Sequence, residues 1–283
     1  MATFQNYATL SYNGVTRLSN VVTGEIVEAL SMTKTAVVDT YTPGGTITYV
    51  LSIVNTRSTA YTNLTIQDDL GAYTFDDDTL TPLTYTEGSL TYLVDGALQT
   101  APTATAGPPL TISGITVPAE GNVILIYEVT ANQYAPLGED DEITNTATIT
   151  GCGQGTDVTA TETVAPATEL ALTITKMAEP AVVTENGILT YTFVICNTSM
   201  AAADETDSVS FADTFDPVLE NITVTLDGTT LETGSYNYDT TSGVFTISPG
   251  MLTVPAAVYE QNPDTGVWTI TPGTTTLVIS GEV

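Results

Sequence analysis

The chain has 283 residues, with 33 Asp and Glu against 4 Lys and Arg and no His, which gives a formal net charge of -29. Nucleic acids and anionic lipids are bound through basic side chains, so this charge excludes nucleic-acid binding. Without His the usual general base and catalytic triads are missing, and we expect the protein not to be an enzyme. Hydrophobic residues, 42% of the chain, come in short runs broken by turn residues, which argues against membrane insertion and predicts strands.

At this length we expect two domains, each with its own core. Residues 1–12 do not combine a basic segment with an apolar one, so no signal peptide is visible in this chain. We therefore expect either a mature exported form or a protein that is made inside a cell and deposited on a surface afterwards.

The first predicted element is a β-hairpin near the N-terminus. Strand-like segments 5–11 and 18–23 flank Asn13-Gly14, a dipeptide typical of two-residue hairpin turns. The chain then enters a longer strand pattern through Leu30, so the hairpin precedes the first domain.

An internal repeat organises the rest of the chain. Three segments of the first half recur in the second half: 32–56 as 174–198, 64–70 as 209–215, and 115–119 as 252–256. In the first of these, large apolar residues alternate with smaller or more polar ones: Ile47, Tyr49, Leu51 and Ile53 in one copy, and Leu189, Tyr191, Phe193 and Ile195 in the other. Because period two is typical of half-buried strands, the sequence predicts an all-β fold of two tandem β-sandwiches.

The repeat resembles a known family. Its pattern is Thr-Lys, a turn Gly, Thr-Tyr-x-Leu-x-Ile-x-Asn, then Asp-x-Leu and finally Asn-Thr-Ala-Thr, read from residues 33–55, 68–70 and 145–148. Over most of the chain this is similar to the repeat known as domain of unknown function eleven, common in bacterial and archaeal surface proteins. The resemblance implies two tandem immunoglobulin-like sandwiches at a surface and attaches no activity to them.

The two copies end differently. The first is closed by a predicted hairpin of two strands, 143–150 and 156–164, around the Gly-rich turn 151–155. The second copy stops at residues 277–283, which correspond to the strand 124–129 that precedes this hairpin. The second sandwich therefore lacks its own closing hairpin.

The N-terminal hairpin matches the missing piece, because residues 5–11 align with residues 144–150. We accordingly divide the chain into a donor hairpin (1–28), a first sandwich (29–165) and a second sandwich (166–283). An incomplete sandwich leaves unpaired backbone groups and an apolar groove, and a donated strand satisfies both.

In a roughly linear tandem the hairpin and the incomplete sandwich lie at opposite ends, so we expect the hairpin of one subunit to complete the second sandwich of its neighbour. The partner is then another copy of this chain, joined head to tail. Predicted donor contacts are Asn6, Ala8, Leu10, Leu18, Val21 and Val22, and predicted acceptor contacts are Leu277, Ile279 and Val283. The alternative is a hairpin that folds back onto the second sandwich of its own chain, which requires the sandwiches to lie side by side.

The two lysines of the chain occupy matched positions in the repeat, and an aspartate and an asparagine also occupy matched positions in each copy. The two sets are Lys34 with Asp68 and Asn145, and Lys176 with Asp213 and a donated Asn6. This set resembles Gram-positive pilin domains, in which a buried lysine, an asparagine and a neighbouring acid form a spontaneous isopeptide bond. The resemblance implies one bond inside the first sandwich and one between subunits. The chemistry needs a neutral amine and a protonated acid, which burial favours. An ordinary ion pair explains the same residues and is the interpretation that the sequence favours.

Two further features carry weaker signals. Carboxylates that calcium prefers occur in predicted loops, at Asp76, Asp77, Asp78, Asp140 and Asp141. They follow no calcium-loop spacing, so solvated loop charge is the simpler interpretation, and we expect no other cofactor. Cys152 lies in a Gly-rich turn, where it is available for a cross-link.

These features predict a structural subunit of an extracellular or spore-surface filament that assembles by strand donation. The alternative is a surface adhesin or ligand-binding module, in which a Tyr-rich loop around Tyr236 and Tyr238 contacts a glycan or protein. The N-terminal hairpin distinguishes the two hypotheses, because assembly explains it and stand-alone binding does not.

Overall fold

The computed structural model describes residues 2–26, 29–151 and 157–283, and these form two compact units. We call them the first and second sandwich. The first sandwich contains described residues from three segments: 1–39, 43–132 and 143–164. The second sandwich contains the remaining segments: 40–42, 133–142 and 165–283.

Two short segments differ from the division predicted from sequence. Residues 40–42 and 133–142 belong to the second sandwich, although the sequence places them in the first domain. Backbone hydrogen bonds explain the difference: the N–H of Ala167 donates to the carbonyl of Tyr41 at 2.8 Å, and that of Trp268 donates to the carbonyl of Gln133 at 2.9 Å.

The predicted N-terminal hairpin is present. Its strands are β1 (Ala2–Asn6), β2 (Thr9–Tyr12), β3 (Val15–Leu18) and β4 (Val22–Ile26). β1 pairs with β4, and β2 pairs with β3, both antiparallel. Asn13 and Gly14 have φ values of 45° and 79°, the left-handed backbone that a two-residue type I′ turn requires. Among the described residues, these strands pair only with one another.

The strands between residues 30 and 166 are β5 (Leu30–Ala36), β6 (Thr40–Tyr41), β7 (Thr46–Asn55), β8 (Tyr61–Asp68), β9 (Tyr73–Phe75), β10 (Asp78–Leu80), β11 (Leu83–Tyr85), β12 (Thr91–Val94), β13 (Ala97–Gln99), β14 (Thr103–Thr105), β15 (Leu110–Val117), β16 (Asn122–Ala131), β17 (Ile143–Thr150) and β18 (Val158–Pro166). One sheet has the order β13-β12-β16-β7-β5, and the facing sheet has the order β14-β15-β8-β17-β18. β17 and β18 form the predicted closing hairpin, and β17 also pairs with β8.

The core of the first sandwich lies between these sheets. The four residues singled out by alternation in β7, from Ile47 to Ile53, are fully buried. Across the sheet, Tyr49 pairs with Tyr127 and Leu51 pairs with Leu125, both on the central strand β16. Burying an apolar side chain of this size contributes about 1.5–3 kcal/mol, so the inward side chains of β7 contribute substantially to the stability of this sheet.

The second sandwich contains β19 (Leu172–Glu179), β20 (Ile188–Asn197), a 3-10 turn (Glu205–Asp207), β21 (Phe211–Thr214), β22 (Glu220–Leu226), β23 (Thr229–Thr230), β24 (Tyr236–Tyr238), β25 (Val244–Ile247), β26 (Val258–Gln261), β27 (Trp268–Thr271) and β28 (Gly273–Glu282). Its larger sheet has the order β19-β20-β28-β22-β23, and a smaller one has the order β21-β25-β24. β26 and β27 form a separate hairpin.

Aromatic rings fill the core of the second sandwich. Phe211 packs edge-on against Phe193, with ring centroids 4.8 Å apart, and Phe215 stacks on Tyr191 at 5.0 Å. Leu277 and Ile279 of the central strand β28 complete this core. Both units are thus all-β sandwiches, as the sequence predicts, but their cores differ in composition.

A shared loop anchor shows that the internal repeat is structural. Asn55 ends β7, and its side-chain amide donates to the carbonyls of Thr59 at 2.9 Å and Pro118 at 2.7 Å. Asn197 ends β20 and donates to the carbonyls of Ala201 at 2.7 Å and Pro255 at 3.0 Å. Both asparagines are buried, so the two copies tie the same loops to the same strand end.

No helix within the described residues is both long enough and apolar enough to cross a membrane.

Candidate functional site: an open edge on the second sandwich

In the first sandwich the opening strand is buried. β5 alternates between inward and outward residues, and its inward side chains Leu30, Met32 and Lys34 are all buried. This strand lies at the edge of its sheet, and among the described strands it pairs with β7 alone. The closing hairpin β17–β18 extends the facing sheet, and we attribute the burial of β5 to this hairpin.

The matching strand of the second sandwich is exposed. β19 pairs with β20 in the same way as β5 pairs with β7, so its backbone position is conserved between the copies. Ile174, which aligns with Met32, is 54% exposed, whereas Met32 is only 7% exposed. Within the described residues the second sandwich has no counterpart of β17 and β18, and its opening strand therefore keeps an apolar face in solvent.

The facing sheet of the second sandwich has an open edge as well. In the first sandwich β8 lies between β15 and β17. Its counterpart β21 pairs with β25 on one side and, among described residues, with no strand on the other. An edge with free N–H and C=O groups beside an exposed apolar face is a ready acceptor for an added strand.

The N-terminal hairpin has the complementary property of exposing apolar side chains on paired strands. Every residue from Thr3 to Thr23 is exposed. The large apolar members of this set are Phe4, Tyr7, Leu10, Tyr12, Val15, Leu18, Val21 and Val22. A two-stranded hairpin is marginally stable by itself, so this one is suited to pairing with a further sheet.

The predicted donor residues are accordingly all accessible: Asn6, Ala8, Leu10, Leu18, Val21 and Val22. The predicted acceptor residues need correction. Leu277 and Ile279 are fully buried, because β28 is a central strand between β20 and β22. They cannot offer an exposed contact surface, and only Val283 of the predicted set is partly exposed. Among the described residues, the exposed apolar side chain Ile174 and the free strand edge lie instead on β19 and β21, respectively.

The lysine of the closed sandwich forms a buried ion pair. Nζ of Lys34 lies 2.6 Å from Oδ2 of Asp68, and both side chains are 0% exposed. The same Asp68 oxygen accepts a hydrogen bond from the hydroxyl of Tyr127, and Oδ1 accepts from the N–H of Leu70 at 3.0 Å. The ammonium also lies 4.7 Å from the ring centroid of Tyr49.

The third residue of the predicted set, Asn145, lies beside this pair. β17 runs along β8 with Ala147 opposite Asp68, so Asn145, two residues away on the same inward face, is a diagonal neighbour of Asp68. Asn145 is fully buried, yet neither its Nδ2 nor its Oδ1 makes a hydrogen bond of normal geometry within the described part of the chain. The structure therefore brings Lys34, Asp68 and Asn145 to one buried spot.

Burial also sets the electrostatics of this spot. It lowers the pKa of Lys34, although the negative charge of Asp68 acts in the opposite direction. It raises the pKa of Tyr127 well above its ordinary value and also raises that of Tyr49, where the neighbouring Asn145 side chain offsets part of the rise. Desolvation disfavours the charged form of each group, and it is the largest cause of all three shifts.

The second copy of the pair is accessible to solvent. Nζ of Lys176 lies 2.5 Å from Oδ2 of Asp213, with side chains that are 42% and 19% exposed. The ammonium lies 4.6 Å from the ring centroid of Tyr191, which matches the geometry at Tyr49. Ile279 stands opposite Tyr191 where Tyr127 stands opposite Tyr49, so Asp213 lacks the hydroxyl donor that Asp68 has.

The remaining predicted sites behave differently. The predicted calcium candidates lie at the β9–β10 turn (Asp76, Asp77 and Asp78) and after β16 (Asp140 and Asp141). Within the described residues, no group of three or more His, Cys, Asp or Glu side chains is placed to hold a metal ion. Cys152 lies outside the described residues. Tyr236 and Tyr238 lie on strand β24 and are partly buried: Tyr236 stacks on Phe245, and the Tyr238 hydroxyl hydrogen-bonds the backbone of Leu219 at 2.8 Å.

Sequence reasoning missed two parts of the site. The ring of Tyr49 and the hydroxyl of Tyr127 border the ion pair, and the repeat pattern contains Tyr49 in its Thr-Tyr dipeptide. The exposed face of β19 was not predicted, because alternation along a strand shows which side chains share a face and not whether that face is covered.

No protein-family model matches the chain, and no curated protein matches it. Among solved structures, the chain is similar to the major pilin subunit BcpA of Bacillus cereus, with 15% identity, a TM-score of 0.37, and coverage of 96% of this chain and 73% of that one. It is similar to the pilus backbone subunit RrgB of Streptococcus pneumoniae, with 14% identity, a TM-score of 0.34, and coverage of 86% and 55%. A family 123 glycoside hydrolase of Clostridium perfringens shares 9% identity at a TM-score of 0.30, over 50% of this chain and 28% of that one. At these values the likenesses assign no function.

Proposed function

We propose that this chain is the structural subunit of a surface filament, in which the N-terminal hairpin of one copy completes the second sandwich of the next. One observation carries the proposal: the opening strand is buried in the first sandwich, which has a closing hairpin, and exposed in the second, which has no counterpart of that hairpin among the described residues. Met32 and Ile174 occupy the same position in the repeat, and only the second is left in solvent.

The first sandwich supplies the expected register of the docked hairpin. There Ala147 lies opposite Asp68, and Ile149 lies opposite Ile66. Residues 5–11 align with residues 144–150, which places Ala8 opposite Asp213 and Leu10 opposite Phe211 of the neighbouring copy. In this register the hairpin supplies the backbone partners that the free edge of β21 lacks, and Leu10 enters the aromatic core.

The contact joins two different surfaces of the chain, so it is heterologous. Such contacts build open filaments unless the rotation between neighbours closes a ring. Each large apolar side chain that docks contributes about 1.5–3 kcal/mol before the entropic cost of association. Several such side chains on one hairpin are sufficient for a durable joint.

We place the filament outside the cell, on a cell or spore surface. This location rests on the sequence likeness to surface-protein repeats, and membership in that repeat family stays a prediction. The acidic surface supports the same picture, because it keeps subunits soluble until they dock.

A matched pair of substitutions tests the joint. Leu10→Asp puts a charge where the fully buried Ile149 lies in the first sandwich, whereas Thr9→Asp puts the same charge at the outward position of Thr148. Both positions are exposed in the free hairpin, so neither change should affect folding of the subunit. We expect the wild type and Thr9→Asp to form filaments by negative-stain microscopy and sedimentation, and Leu10→Asp to stay monomeric.

Two results would overturn the proposal. One is Leu10→Asp assembling as well as the wild type. The other is a wild-type chain that stays monomeric at high concentration with Ile174 protected from solvent, which would mean that the hairpin closes the second sandwich of its own chain.

A further inference from the structure

The N-terminal hairpin contains a glycine in the interior of a strand. Gly24 lies in β4, directly opposite Phe4 of β1. The phenyl ring of Phe4 is folded across the strand pair, and its tip occupies the place that a Cβ on residue 24 would take. A glycine inside a strand weakens the strand and often marks the close approach of another group. Here the approaching group is the ring of Phe4.

In the first sandwich, two branched apolar residues occupy the same pair of positions. The alignment of the two hairpins, extended by one residue, matches Phe4 with Ile143. Ile143 pairs with Val164 as Phe4 pairs with Gly24. Ile143 and Val164 are each only 1% exposed. At this pair, the closing hairpin therefore buries one apolar side chain from each of its strands.

Ile143 packs where the chain turns after β8. Its Cγ2 lies 2.5 Å from the position that a Cβ on Gly71 would take, so the side chain closes directly over this turn. The ladder between β17 and β8 ends with Ala147 opposite Asp68, and Ile143 lies four residues beyond that end. Side-chain packing at Ile143 thus holds the closing hairpin in a region that the strand ladder does not reach.

We infer that Phe4, folded over Gly24, is the anchor of the joint between subunits, where this pair takes the role that Ile143 and Val164 have in the first sandwich. The inference rests on the proposed function, since it needs the hairpin to dock. The register given above places Phe4 at the turn after β21, which begins with Phe215 of the neighbouring copy. Phe215 belongs to the aromatic core of the second sandwich, so a phenyl ring docked there extends that core.

The free hairpin already presents this anchor. Phe4 is 47% exposed in the subunit, although its ring packs on Gly24. The packing restrains the ring before docking, so that docking costs less side-chain entropy than it would for a freely rotating ring. Large aromatic side chains that enter a core on binding are typical of the few residues that dominate the energy of an interface.

A substitution at Phe4 tests the anchor against a matched aromatic residue of the same hairpin. Tyr7 is 59% exposed and aligns with Thr146, whose side chain lies on the outward face of β17. We expect Phe4→Ala to raise the critical concentration for assembly by about 30-fold or more, which is the effect of an interface hot spot, and Tyr7→Ala to change it by less than about threefold. Both side chains are exposed in the free subunit, so both variants should unfold at the same denaturant concentration as the wild type.

The glycine supplies a test of the pair. Gly24→Val puts a side chain where the ring lies, displaces the ring, and should raise the critical concentration as Phe4→Ala does. Phe4→Ile combined with Gly24→Val introduces the side chains that Ile143 and Val164 supply in the first sandwich, and this double variant should recover most of the loss. A double variant that assembles no better than Gly24→Val alone would overturn the inference.

Hydroxyl-radical footprinting of the wild type shows whether the ring is covered in the joint. Oxidation of Phe4 should fall when monomers assemble, whereas oxidation of Tyr7 should persist. A cross-strand aromatic ring over a glycine also stabilises a hairpin by itself. If Phe4 remained as reactive in filaments as in monomers, it would have this role alone, and the anchor would be refuted.

The outcomes separate this inference from the proposed function. If the wild type assembles and Leu10→Asp does not, but Phe4→Ala assembles as well as the wild type, strand donation stands and the anchor is refuted. Failure of the wild type to assemble would refute the proposed function, and the anchor with it.

Discussion

The two sandwiches start from one pattern and reach different states of closure. Lys34 and Lys176 each pair with an aspartate over a tyrosine ring, yet the first side chain is 0% exposed and the second is 42% exposed. The local geometry of the pair is therefore independent of whether it is covered. We attribute the burial to a separate element, the closing hairpin, which the first sandwich contains and which we propose the second receives from a neighbour.

In a repeat protein, comparing the burial of matched positions indicates where an assembly surface lies. A position that holds an apolar residue in both copies, but is buried in one and exposed in the other, indicates the surface that a partner covers. Exposed apolar residues taken singly carry no such information, because folded proteins expose many of them.

The largest effect should come from truncating the matched pair Met32 and Ile174. Met32→Ala removes a buried side chain and should destabilise the first sandwich by about 2–5 kcal/mol. Ile174→Ala removes an exposed one and should change the stability of the free second sandwich by no more than about 0.5 kcal/mol. Hydrogen exchange followed by mass spectrometry, resolved by sandwich, measures both. Equal losses in the free subunit would show that β19 is already covered, and the comparison would fail.

A second pair of substitutions should show where the two sandwiches are alike. Asn55→Ala and Asn197→Ala each remove a buried amide and leave two backbone carbonyls without their hydrogen-bond donor. Each change should lower the free energy of unfolding of its sandwich by about 1–3 kcal/mol. Denaturant unfolding of the two variants against Asn237→Ala, an exposed asparagine, checks this. If the cost at Asn197 were negligible, the open sandwich would be loosened throughout and not only along its open edge.

A third effect appears only at alkaline pH. Burial raises the pKa of both Tyr49 and Tyr127, so above pH 10, the ordinary phenol pKa, the unfolded chain releases protons that the folded first sandwich retains. Stability should therefore fall as pH rises from about 10, by about 1.4 kcal/mol per pH unit for each phenol that stays protonated.

Tyr127→Phe separates this effect from the loss of a hydrogen bond. Removing the hydroxyl lowers stability at every pH, because Asp68 loses a donor, but it should roughly halve the pH slope, since one of two phenols is gone. Tyrosinate absorbance read alongside unfolding measures both quantities. An unchanged slope would mean that Tyr127 does not titrate with unfolding.

Several features of the candidate site could be predicted from the sequence alone. The repeat aligned Lys34 with Lys176 and Asp68 with Asp213, and both pairs form, because equal patterns place equal residues at equal strand positions. The donor hairpin was predicted from Asn13-Gly14, whose backbone preferences are local. The prediction that Leu277 and Ile279 are exposed acceptor contacts was wrong, because a strand pattern does not reveal which strand is central and which is at an edge.

Alternation and turn chemistry act over a few residues at a time, so the amino-acid sequence alone predicts the strands, their inward faces, the doubling of the sandwich and the matched lysine sites. The folded structure was needed to show which of these faces are covered, that Asn145 is buried next to the Lys34–Asp68 pair, and that β19 and the edge of β21 stay open among the described residues. The reason is that the burial of a strand depends on what packs against it. The same strand lies in the core or at the surface according to whether another pair of strands covers it, and that pair can be distant in the chain or come from another molecule.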